Sequence, residues 1–106
     1  MPKYLLQVSY TAEGARGLQK DGGTKRRQAA QAAIESVGGR LESFYFAFGD
    51  VDVFVVADLP DAVAAAAASV ALSASGVVRS RTTVLITPEE MDQATKRSVS
   101  YSPPGR

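Results

Sequence analysis

Two carboxylates on a short connection are the first residues here with the makings of chemistry. In Gly49-Asp50-Val51-Asp52, two acids flank a single valine. Acids that close can push their proton affinities apart and leave one as a general base. The alternative is turn chemistry, in which Gly49 supplies an unusual backbone angle and the Asp side chains bond turn amides. A second group is Lys25, Arg26 and Arg27, just after Gly22-Gly23. Cations in a first helical turn oppose the dipole at about 0.3–1 kcal/mol each. The same placement suits an anion, on which free amides and basic side chains converge. The alternative is a solvated basic face. The Gly-x-x-x-x-Gly-Lys-Ser/Thr spacing of a phosphate loop is missing. Tyr45 and Ser43 alternate along an apolar run, where a tyrosine can orient a ligand, donate a proton or bond across an interface. Arg79, Arg81 and Thr83 alternate likewise, able to clamp a carboxylate or to pair with Glu42 across strands.

Composition limits what these groups can do. The 106 residues contain no Cys, His, Trp or Asn. Thiolate nucleophiles, disulfides and Ser-His-Asp or Cys-His arrangements are therefore excluded. Chemistry falls to Asp, Glu, Lys, Arg, Tyr, Ser and Thr, and the sequence calls for no cofactor and no metal. A net charge of +1 argues against phosphate-backbone binding, and no RNP-like aromatic run is present. No nucleic-acid partner is expected. The longest apolar stretch, Ala62 to Ala68, is too short to span a bilayer. No membrane partner is expected, and the reading is cytoplasmic. At 45% hydrophobic and 22% charged, the chain has the make-up of one globular domain.

The elements that must position these groups follow from periodicity. Lys3 to Tyr10 alternates as a strand. Thr11 to Gly23 reads as a loop with about one helical turn. Thr24 is the expected N-cap of a helix over Lys25 to Val37, stopped by Gly38-Gly39. Arg40 to Phe48 and Val53 to Ala57 form a hairpin. In it Phe44, Phe46, Phe48 and Glu42 share one face, while Leu41, Ser43, Tyr45 and Ala47 share the other. The phenylalanine face is expected against the helices and Tyr45 on the open face, near Tyr4 or Gln7. Asp61 caps a second helix to about Ala74, Val77 to Thr87 is a fourth strand, and Thr87-Pro88-Glu89-Glu90 starts a short helix. The domain is residues 1–97, followed by a Ser/Pro-rich tail, 98–106. The order predicts an α+β ferredoxin-like plait: a four-stranded antiparallel sheet with helices on one face. Apolar residues on both faces of several strands predict a sheet-mediated homo-oligomer.

Gly38 to Val56, Val77 to Thr83 and Thr24 to Arg27 together resemble the GYD-domain family, over residues 1 to about 95. The Gly-Tyr-Asp signature corresponds to Gly49-Asp50-Val51-Asp52, with valine where tyrosine is usual. The resemblance implies a fold similar to dimeric α+β barrels, in which two plaits pack sheet to sheet. It implies no particular activity.

The expected function is an oligomeric domain that binds a small, partly apolar molecule, anionic in one version. The ligand-binding candidates are Lys25, Arg27, Tyr45, Gly49 and Asp52. The first alternative is a cofactor-independent isomerase or monooxygenase, with Asp52 or Tyr45 as the acid/base. The second is a structural assembly subunit whose C-terminal tail docks on a neighbour.

Overall fold

The computed structural model describes every residue from Met1 to Arg106. Its elements are β1 (Lys3–Tyr10), α1 (Ala12–Asp21), α2 (Gly23–Ser36), β2 (Arg40–Phe46), β3 (Val53–Asp58), α3 (Ala62–Ala74), β4 (Val78–Leu85) and α4 (Pro88–Thr95). The four strands are antiparallel in the order β2-β3-β1-β4. This is the ferredoxin-like α+β arrangement that the element order predicts.

One face of the sheet carries the core. Tyr4, Leu6 and Val8 of β1 meet Val53, Val55 and Ala57 of β3, and Ile34 of α2, Leu59, Ala65 of α3 and Val78 of β4 complete the cluster. Small residues let α3 lie close, and its Ser69 hydroxyl meets that of Thr82 on β4 at 2.7 Å. Asp61 caps α3 through the Ala64 amide at 2.9 Å. The opposite face bears Lys3, Leu5, Gln7 and Ser9 of β1, Phe54, Val56 and Asp58 of β3, and Arg79, Arg81, Thr83 and Leu85 of β4. Only 12 of 106 residues are buried, so this face adds little to the core of the single chain.

Three local expectations are corrected. The stretch after β1 is the ten-residue helix α1, not a loop. Its two glycines depress helix propensity, but packing decides. Thr11 caps the helix through the Gly14 amide, and its own amide donates to the Val77 carbonyl at 3.0 Å. Gly14 lies against that same carbonyl, where no side chain fits. Thr24 then lies inside α2, which starts after Gly22 (φ 80) without a side-chain cap. The third correction concerns β2. A bulge between Leu41 and Ser43 shifts the register, so Leu41 pairs with Ala57 on the core face while Ser43 pairs with Val56 on the open face. Leu41 joins Phe44 against the core, and Glu42 turns to the open side beside Lys3. Phe48 lies beyond the strand, fully exposed.

The C-terminal part stands apart from this body. Thr87 and Glu90 form a reciprocal capping box that fixes the start of α4. Yet α4 buries no residue, and every residue from Ile86 to Ser102 is exposed. The radius of gyration is 16.8 Å, against about 13 Å for a compact chain of this length. No helix is long and apolar enough to cross a membrane.

Candidate functional site

The Gly49–Asp52 hairpin tip is tied to β1. Asp52 Oδ2 accepts from the Tyr10 amide at 2.8 Å, and the Asp52 amide donates to the Val8 carbonyl at 3.0 Å. Asp52 thereby ties the β2–β3 connection to the end of β1. The Asp50 carbonyl accepts from the Ser9 hydroxyl at 3.3 Å. Gly49 has no positive φ, so the unusual backbone angle expected there is absent. The tip is exposed and stands apart from the groove described below.

The basic group splits. Arg26 turns back to Asp21 at 3.4 Å. Burial pushes the Tyr10 hydroxyl above its ordinary value of 10.0, against the opposing charge and hydrogen bond of Arg26. Lys25 is exposed and does not line the groove that Arg27 borders. Arg27, the next residue round the helix, projects over β2. With Gln31 one turn later, it faces Leu41, Glu42, Ser43, Phe44 and Tyr45 across a half-open groove of about 360 Å³. Residues from both faces of β2 border this groove, which places it along the outer edge of the strand. That volume is at the small end for a ligand site.

The groove thus unites two of the candidates, Arg27 and Tyr45, and leaves Lys25, Gly49 and Asp52 outside. Tyr45 is 71% exposed on the open side. Its cross-strand neighbour is Phe54, with Gln7 next in the same row. Tyr4 instead lies buried on the helix face. The floor is Leu41 and Phe44, with the Phe46 ring edge-on to Phe44 at 5.3 Å between centroids. The chemistry on offer is a guanidinium, an amide, two hydroxyls, the Glu42 carboxylate held by Lys3, and an apolar floor. Such a set can hold a carboxylate or phosphate at one end and a flat apolar group at the other.

Sequence reasoning missed a second polar constellation. Asp58 ends β3, and its side chain is only 8% exposed. It accepts from Lys3 Nζ at 3.0 Å and from Arg40 at 3.0 Å, while Lys3 also reaches Glu42. The Lys3 and Arg40 hydrogen bonds hold the Asp58 carboxyl below its ordinary 3.8. The Glu42 and Asp58 bonds raise Lys3 above 10.5. Arg79 and Arg81 do not reach Glu42, because β4 and β2 are opposite edges of the sheet. The available signal was the strand register, which sets Lys3, Asp58 and Arg40 in one cross-strand row.

Fold and site together define a ferredoxin-like α+β domain with a polar-and-aromatic groove on one sheet edge. The chain belongs to the GYD domain family, whose model matches residues 4–95. No curated protein and no solved structure matches it.

Proposed function

We propose that this domain binds a small, partly apolar anion in the groove between α2 and β2, and does so as an oligomer. The observation that supports the reading is the convergence of Arg27, Gln31, Ser43 and Tyr45 on an apolar floor, with the one acid of the groove, Glu42, paired to Lys3. Arg27 supplies the charge and the bidentate geometry for a carboxylate. Tyr45 supplies a ring for stacking and a hydroxyl. Oligomerisation through the open sheet face follows from the exposed Tyr45, the half-exposed Phe54 and the partly exposed Leu5 and Val56 on a face without helices. The rim of that face carries Lys3, Arg40, Arg79 and Arg81, so two copies must offset their cations.

Titration of the full chain with benzoate and phenyl phosphate, followed by amide chemical shifts, tests the binding. Shifts are expected at Arg27, Gln31 and Ser43 to Tyr45. Arg27→Gln is expected to weaken binding roughly tenfold, worth about 1.4 kcal/mol, with Lys25→Gln unchanged. Equal weakening by both variants would reduce the effect to net charge and remove the groove from the argument.

A further inference from the structure

The tail after α4 carries a pattern that its own body does not use. Ser98-Val99-Ser100-Tyr101-Ser102 alternates polar and apolar residues strictly, the signature of a strand with one covered face. The segment forms no strand here, and Val99 and Tyr101 are 80% and 72% exposed.

The complementary surface is the outer edge of β2. That strand lies at the end of the sheet, so one row of its backbone groups lacks a strand partner. The bulge leaves Ser43 to Phe46 as its regular run. Along this run Phe44 and Phe46 point to the helix side and Ser43 and Tyr45 to the open side. Phe46 is 39% exposed and Phe44 is half-buried. Val99 and Tyr101 have the same spacing as Phe46 and Phe44, and the tail serines match the polar side.

We propose that the tail of one copy adds antiparallel to β2 of a second copy, Val99 opposite Phe46 and Tyr101 opposite Phe44. Backbone hydrogen bonds supply attachment and the two apolar pairs set the register. This direction brings Lys96 and Arg97 beside the exposed Asp50 at the hairpin tip. The occupant is a second copy because the tail follows β4, the far edge of the sheet, by way of α4, with Ser98 to Ser102 all exposed and a longest dimension of 57 Å for the chain. The rival edge at β4 is a shallower hollow of Ser69, Ser73, Ser80 and Thr82 with Val70, and lacks an aromatic floor. A seated tail walls the outer side of the groove and contends with a small molecule for it. That regulatory consequence rests on the binding proposed above, whereas the strand addition does not.

The chain has no cysteine, so introduced pairs report without background. Full-length V99C is mixed with full-length F46C under mild oxidation and the disulfide-linked heterodimer is measured. Directly opposed strand residues fall within disulfide reach. Cross-linking at least tenfold above that of V99C with V70C, which lies at the β4 edge, is expected. Equal cross-linking, preference for V70C, or no heterodimer overturns the proposal. So does an intramolecular link in the V99C/F46C double variant at high dilution, which would mean the tail folds onto its own chain. No ligand enters this readout, so it can fail while the titration succeeds.

Discussion

Gly39→Ala is expected to lower stability by about 2–3 kcal/mol, against the usual benefit of replacing a glycine whose φ is not positive. A Cβ at this position would lie 2.5 Å from the Asp58 carbonyl oxygen, 2.7 Å from Leu59 Cδ2 and 3.0 Å from Ile34 Cγ2. Two of those neighbours belong to the core cluster, and the third is backbone. None can yield without moving α2 away from the β2–β3 hairpin. The expected fall in Tm is about 10–20 °C, from roughly 4–8 °C per kcal/mol in a domain of this size. Gly17→Ala is the matched control, since nothing lies within 4 Å of a Cβ there and the site is mid-helix. It is expected to raise stability by about 0.5–1 kcal/mol. Urea unfolding of both variants decides the matter, and Gly39→Ala as stable as the native chain would mean that α2 is not seated by this contact. Because α2 carries Arg27 and Gln31, the same contact sets the width of the groove.

Asp58→Ala is the second large effect, expected to cost about 1.5–3 kcal/mol through loss of two charge-assisted hydrogen bonds. The stranded cations soften the loss, since the Lys3 and Arg40 side chains are 33% and 76% exposed and can hydrate. The sign of the pH dependence follows from the direction of each shift. Asp58 is held below its ordinary 3.8, so its contribution is complete above that value. It is lost as pH falls through the depressed value. Lys3 is held above 10.5, so its contribution is complete below 10.5 and is lost as pH rises through the raised value. Between these limits the cluster contributes a flat term. In Asp58→Ala the acid decline below about pH 4 is expected to flatten. An unchanged acid limb, measured by thermal unfolding across pH 2–6 and compared with the native chain, would assign that decline to other carboxylates.

The hairpin, the alanine-rich α3 and the capped start of α4 were legible because each follows from residues close in sequence. The α1 helix was not, because Gly14 and Gly17 argue against a helix locally, and the reason for Gly14 is Val77, distant in the chain. The face of Leu41 was misread because strict alternation carries no sign of a bulge. Tyr45 and Arg27 were legible as chemistry, since a tyrosine on a strand and an arginine early in a helix stand out by type. Gln31 was not, because its role depends on how α2 crosses β2. Asp58 was not legible either, because only the register of three strands sets it between two cations.

The β2 bulge carries a lesson about how this chain can vary. If Glu42 were deleted, Leu41 would directly precede Ser43, and simple alternation would still send Leu41 inward and Ser43 outward, their present sides. Every neighbouring side chain would keep its face. The extra residue therefore marks a point where an insertion or deletion of one position is silent for the core, though a one-residue slip elsewhere in a strand inverts everything beyond it. What the deletion removes is the carboxylate on Lys3. When relatives are aligned, a gap at position 42 should be scored as the loss of one surface ion pair, and not as a break in the strand.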